Sequence, residues 1–186
     1  LFAGLLSVGY TAKTNSGEFL DRPVFPNLAQ KINQVETIAL SGHRQKLEFY
    51  KGNGIWKLKG HNLPVLQDRI RSFLSAMLEA VYFEKKSGQA QYLSRFGLQP
   101  TDQPDAPGIW ITLQNAAGDN IENFEVGHYD IEIGRGTRAA YIRFAGQFQV
   151  WQIAADFIDL SVNPDDWTYS TLWNLRLGRF ISFNNQ

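Results

Sequence analysis

The 186-residue chain has no cysteine and only three histidines. Without thiols there are no disulfides, iron–sulfur clusters, thiolate zinc sites or cysteine nucleophiles. Three histidines leave little material for a His-rich metal centre. The chain also lacks an excess of charge, since 18 Lys and Arg balance 18 Asp and Glu. A general nucleic-acid binder needs surplus cations to neutralise phosphates, so no nucleic-acid partner is expected. No apolar run approaches the roughly 20 residues that span a bilayer as a helix. What is present is core material. Hydrophobic residues make up 44% of the chain and charged residues 19%, enough for one ordinary domain or two very small ones.

The first ten residues, Leu1 to Tyr10, are apolar and uncharged, and Lys13 and a polar stretch, Thr14 to Glu18, follow. Ten residues are too few to cross a membrane. Residues 1–20 are therefore expected to be the end of an N-terminal membrane anchor plus a soft linker, the other reading being an ordinary buried segment. Charge is divided along the chain. Residues 1–90 hold 12 cationic against 7 acidic side chains, and residues 91–186 hold 6 against 11. Such halves either attract one another or face an oppositely charged partner.

Strand patterns run over Val35–Leu40, Lys46–Lys51 and Ile55–Leu58, with Asn53-Gly54 as a hairpin turn. Asn62-Leu63-Pro64 reads as a helix start, with Asn62 as cap and Pro64 in the first turn. Leu63, Leu66, Ile70, Phe73, Leu74, Met77, Leu78 and Val81 then follow helical spacing. A short helix is expected around Tyr92-Leu93. Residues 100–108 contain three prolines and end in Gly108, which makes them a turn-rich connector and the best internal boundary. Strands resume at Ile109–Gln114, Asn123–Val126, Ala140–Phe144 and Gln147–Ile153. Asn163-Pro164 opens a short helix to about Leu172, and Arg176–Phe183 reads as a last strand. Hairpins with separate helices indicate an α+β fold: antiparallel meanders packed with one long amphipathic helix and a short C-terminal one. Two β-rich halves remain open.

Asp21-Arg22-Pro23-Val24-Phe25-Pro26-Asn27-Leu28 is followed by Ile32-Asn33-Gln34-Val35 and by Ile55-Trp56, and then in order by Tyr92 to Leu98, Thr112 to Gly118, Val126-Gly127, Tyr141-Ile142-Arg143, Val150 to Ile153 and Asn163 to Trp167. This ordered series resembles the domain-of-unknown-function family DUF4340, from its opening segment and first strands to its closing element. His128 departs from the basic residue usual after Val-Gly, and Thr168-Tyr169 from the closing Leu-Asp. The resemblance covers residues 21–180 as one domain within 21–186. It implies one N-terminal anchor, an extracytoplasmic (periplasmic) domain and a neighbourhood of gliding-type ABC transporters. It implies no reaction.

The residues themselves offer three functions. The first is a non-enzymatic accessory domain of a membrane assembly, with a membrane partner such as an ABC-type permease. Its contact residues would be Pro23, Phe25 and Pro26, a stiff entry from the linker, and Trp167 and Trp173 near the C-terminus. Phe25 is expected to dock into the domain, and at least one of the two tryptophans to face a partner or a neighbouring segment. The second is a glycan- or lipid-binding module with a groove lined by Trp56, Trp110, Trp151, Trp167 and Trp173. The third is a hydrolase in which two of Asp156, Asp159, Asp165 and Asp166 converge. Adjacent acids at a helix start also serve simply as caps. His43, His61 and His128 lack metal-ligand spacing, there is no G-x-S-x-G elbow, and Gly134-Arg135-Gly136 reads as a β-loop rather than a phosphate cradle. No catalytic residue, cofactor or metal is assigned.

Overall fold

A computed structural model describes residues 22–169, apart from 101, 102, 104, 135, 158 and 159. Ten antiparallel strands form one sheet among these residues. They are β1 (Thr37–Ser41), β2 (Lys46–Gly52), β3 (Ile55–Leu58), β4 (Leu63–Pro64), β5 (Val81–Lys85), β6 (Ile109–Gln114), β7 (Asn120–Val126), β8 (Ile131–Glu132), β9 (Arg138–Phe144) and β10 (Trp151–Ala154). Two helices accompany them, α1 (Leu28–Lys31) and α2 (Gln67–Glu79), with short 3-10 helices at Ile32–Gln34, Ala90–Phe96 and Pro164–Asp166. The fold is α+β, as the patterns indicate.

Strand order is β4-β3-β2-β1-β6-β7-β9-β10-β5, with β8 paired to β9. The two β-rich halves are therefore merged. β1 pairs with β6 across the 100–108 connector, from Thr37 opposite Gln114 to Ser41 opposite Trp110, and β5 pairs with β10. Period-two alternation puts Ile38, Leu40, Phe49, Leu58, Ile111, Leu113, Phe124, Val126, Ile142 and Ile153 on one buried face. α2 lies against that face through Ile70, Phe73, Ala76 and Met77.

The path of α2 dictates the shape of the sheet. It links β4 at one edge to β5 at the other. Nine strands laid flat would be about 38 Å wide at about 4.8 Å per spacing. Thirteen helical residues supply about 20 Å and the three linking residues about 10 Å. The tether is shorter than the flat width, so the sheet curls around the helix.

The helix begins five residues later than the expected cap. Asn62 instead adopts φ 52 in a turn, and Leu63 and Pro64 pair with Leu58 and Lys57. Val65 N–H donates to Trp56 O at 3.1 Å and Leu66 N–H to Trp167 O at 2.8 Å, so strand-like bonds win over a helical turn. Pro64 fits there because an edge strand does not need its missing N–H. Gln67 seals the junction: its Oε1 accepts from Trp56 N and its Nε2 donates to Trp56 O, both at 2.9 Å. Leu63 leaves the helical stripe for β4, and Val81 for β5. The 3-10 helix at Pro164–Asp166 replaces the start of the expected C-terminal helix, and Thr168 then bridges to Val65. Asn163 does cap it, accepting from Asp165 N at 3.2 Å. The remainder of that helix, the strand at Arg176–Phe183 and the anchor at 1–20 lie outside the described residues. Among the described residues no helix is long and apolar enough to cross a membrane.

Candidate functional site

The expected contact residues separate into two groups. Pro23 and Pro26 are exposed. Pro23 bridges to Val81, which brings the entering chain alongside β5, and Val24 N–H donates to Ala80 O at 2.9 Å. Phe25 and Trp167 are core residues, at 3% and 2% exposure, so Phe25 docks into the domain and the Trp167 ring packs against neighbouring segments of the chain. Phe25 packs on Phe124 at 4.7 Å and near Phe144 at 6.0 Å between centroids. Trp167 is wedged between β2 and α2, with Phe49 at 4.9 Å, Phe73 at 6.4 Å and the Arg69 guanidinium over its ring at 4.8 Å. Its Nε1–H donates to Ser161 O at 2.9 Å, so the buried indole is satisfied. Trp173 lies outside the described residues.

The tryptophans do not assemble a platform among the described residues. Trp56 joins Trp167 in the core, Trp110 lies under Arg143, and Trp151 packs edge-on to Tyr82 at 4.9 Å. The described aspartates line different hollows or stand at the surface. Asp156 lines a hollow of about 340 Å³ with Arg69, Ser72 and Glu79. Asp166 lines another, of about 480 Å³, with Arg69, Tyr129 and Ser161. Asp165 is exposed in the first turn of the 3-10 helix, and Asp159 lies outside the described residues. No three His, Asp or Glu side chains converge among the described residues.

Two arrangements were not foreseen from the sequence. The first is a buried ion pair on the face of the sheet opposite α2. Glu125 on β7 stands between Trp110 on β6 and Arg143 on β9 in register. Its carboxylate is fully buried, accepts from Arg143 Nε at 2.6 Å through Oε2, and has no hydrogen-bond partner for Oε1 among the described residues. Arg143 also stacks over Trp110 at 4.9 Å. Burial pushes the Glu125 carboxyl above its ordinary value, against the lowering pull of Arg143. The roof is the segment 90–98, whose Leu93, Phe96 and Leu98 pack with Val150 and Tyr141. A strand reading of Phe124-Glu125-Val126 puts Glu125 towards solvent; Gly108, whose missing side chain leaves room for the carboxylate, and the backbone at Gly97 close over it instead.

The second is a basic hollow of about 350 Å³ at one end of the sheet, between the β1–β2 and β3–β4 turns. Arg44, Lys46, Lys59 and His61 line it with Glu48 and Pro164. Beside it, on the outer face of β1 to β3, is a shallower hollow of about 430 Å³ that includes Thr37, Tyr50 and Asn62. Tyr50 O–H donates to Asn62 Oδ1 at 2.6 Å. Glu48 and Lys59 are common to both hollows. The charge division of the sequence is thus spatial. Lys46, Lys51, Lys57 and Lys59 stand on or beside β2 and β3, whereas Asp119, Glu122, Glu125, Asp130 and Glu132 stand on or beside β7 and β8.

The model of a family described as "Domain of unknown function (DUF4340)" matches residues 56–185, more than half of the chain. The similarity at Asp21–Leu28 and Ile32–Val35 lies outside the matched stretch. No curated protein and no solved structure matches.

Proposed function

The chain belongs to the DUF4340 family, and from that premise we propose that it is a non-enzymatic accessory domain of a membrane assembly. In this reading an N-terminal anchor holds the domain at the extracytoplasmic (periplasmic) face, and its partner is a membrane protein such as an ABC-type permease. The observation that carries the reading is the outer face of β1 to β3. Thr37, Ala39, Ser41, Glu48, Tyr50 and Lys57 alternate outward there and stay partly open to solvent, while the roof at 90–98 covers the sheet farther along. A face of small residues on β1 beside longer polar side chains on β2 and β3 is suited to receive another protein by shape and hydrogen bonding. Exposed Pro23 and Pro26, at the start of the described chain, form a stiff approach from the linker side.

The test is purification of the full-length protein from native membranes in mild detergent, with identification of what accompanies it. The expected result is a transmembrane permease component in fixed proportion to the chain. Ala39→Arg, on the outer face, is expected to lose that component while the purified protein keeps its circular dichroism and melting temperature. Recovery of the wild-type chain alone overturns the reading.

A further inference from the structure

The basic hollow between the two turns is shaped for an anion, and we propose that it binds a phosphate group. Its wall is Glu48, which holds two lysines at once. Lys46 Nζ stands 3.9 Å from Oε2, and Lys59 Nζ pairs with Oε1. One carboxylate therefore stands beside two ammonium groups and neutralises only one of them. Arg44 adds a second surplus cation from the tip of the β1–β2 turn, where its backbone is left-handed at φ 60. The turn is closed by Gly42 N–H donating to Gln45 O at 3.0 Å, so Arg44 is carried on a defined loop. His61 and Pro164 complete the lining.

The surplus of cations over acids on this lining is what a phosphate requires. Arg supplies a planar fork of donors, and lysines supply point charges. The volume, about 350 Å³, admits a phosphate group with room for its ester substituent. The adjoining hollow of about 430 Å³ begins at the same Glu48–Lys59 wall and offers the Tyr50 hydroxyl and Thr37. A phosphate ester can thus seat its anionic group among Arg44, Lys46 and Lys59 and rest its organic part towards Tyr50. The ligand class is a phosphate ester, either free in solution or displayed as a lipid headgroup. The proposal does not rest on the accessory role, although Thr37, Glu48 and Tyr50 also belong to the outer face of β1 to β3.

The full-length chain is titrated with glycerol 3-phosphate at constant ionic strength, monitored by amide chemical shifts, with sodium chloride as the control. Expected shifts are confined to residues 44–48 and 58–61, with Tyr50 and Asn62 moving as the ester part is engaged. Lys59→Gln is expected to weaken binding about tenfold, in keeping with loss of one charge-assisted contact. Glu48→Gln is expected to strengthen it several-fold, because it removes the competing carboxylate. A tighter Glu48→Gln variant is a result that general damage to the fold does not give. A parallel arm measures co-sedimentation with phosphatidylglycerol-containing vesicles against pure phosphatidylcholine vesicles. Binding to the anionic vesicles with no response to the soluble ester identifies the source as a lipid headgroup, and the reverse identifies a free ester. The proposal is overturned if neither arm responds, if chloride gives the same shifts, or if Lys59→Gln and Glu48→Gln both leave the affinity unchanged.

Discussion

Glu125 and Arg143 sit directly opposite each other on β7 and β9, joined at 2.6 Å, with the guanidinium stacked on Trp110 and one carboxylate oxygen without a partner among the described residues. A fully buried carboxylate in this setting binds its proton more tightly than in the unfolded chain, because removal from water outweighs the attraction of Arg143.

The sign of the resulting pH dependence follows. From the unfolded value of 4.5 upward the folded protein retains a proton that the unfolded chain has released. The contribution to stability is full below 4.5 and is lost as pH rises through the higher folded value. Glu122, raised by burial with Lys31 pulling the other way, acts in the same direction. Urea unfolding of Glu125→Gln at a series of pH values is therefore expected to show a flatter decline above pH 4.5 than the wild type, with a remainder from Glu122. An unchanged slope would mean that Glu125 does not hold the extra proton. Arg143→Met, which leaves the carboxylate buried and unpaired, is expected to cost about 3 kcal/mol near neutral pH.

The roof over this pair depends on Gly127. A Cβ built there lies 2.0 Å from Phe96 O and 2.9 Å from Leu98 Cγ, so the backbone of 90–98 has to move. Gly127→Ala is expected to destabilise by about 2 kcal/mol or more and to raise amide exchange across 90–98. Gly54→Ala is the control. Nothing lies within 4 Å of its Cβ position, and only the left-handed backbone at φ 77 resists it, for a loss of about 1 kcal/mol without effect on the roof. Equal exchange behaviour in the two variants would contradict the dependence of the roof on Gly127.

What the sequence revealed was whatever its local periodicity encodes. Alternation identified β1 to β3, β6, β7 and β9, and Asn53-Gly54 gave the hairpin between β2 and β3, where both residues adopt positive φ. Val81–Lys85 was hidden because Val81 completes a helical stripe. Its strand character comes from Trp151–Ala154 and from the bridge at Pro23, both far away in sequence. The same distance explains the helix start, since the acceptors for Val65 and Leu66 lie on Trp56 and Trp167. Neither the Glu125 pair nor the basic hollow had a local signature. Each is made by segments that only the fold brings together.

Trp167 offers a test of how the 160–168 segment is held. Its ring joins Phe49 on the sheet to Phe73 and Arg69 on α2, and its carbonyl receives Leu66 N–H. Trp167→Ala is expected to cost about 3–5 kcal/mol in chemical unfolding, as for other buried aromatic truncations. Trp167→Phe keeps most of the packing but leaves Ser161 O without its donor, and is expected to cost about 1–2 kcal/mol. If the alanine variant is as stable as the wild type, the indole is not the link between sheet and helix.

The merged sheet makes a prediction about cutting the chain. A protease site placed in the 100–108 connector, near exposed Asp105 and Pro107, divides the protein between β5 and β6. The five register pairs of β1 with β6 and the four of β5 with β10 then run between fragments rather than within one. Each fragment alone would carry an unpaired sheet edge, and the C-terminal fragment would also lose α2 from the face that holds Ile111 and Leu113. The nicked protein is therefore expected to elute as a single species at the size of the uncut chain, and to separate only in denaturant. Fragments that part under native conditions, each retaining its own cooperative unfolding, would show that two halves fold apart and that the β1–β6 seam does not hold the sheet together.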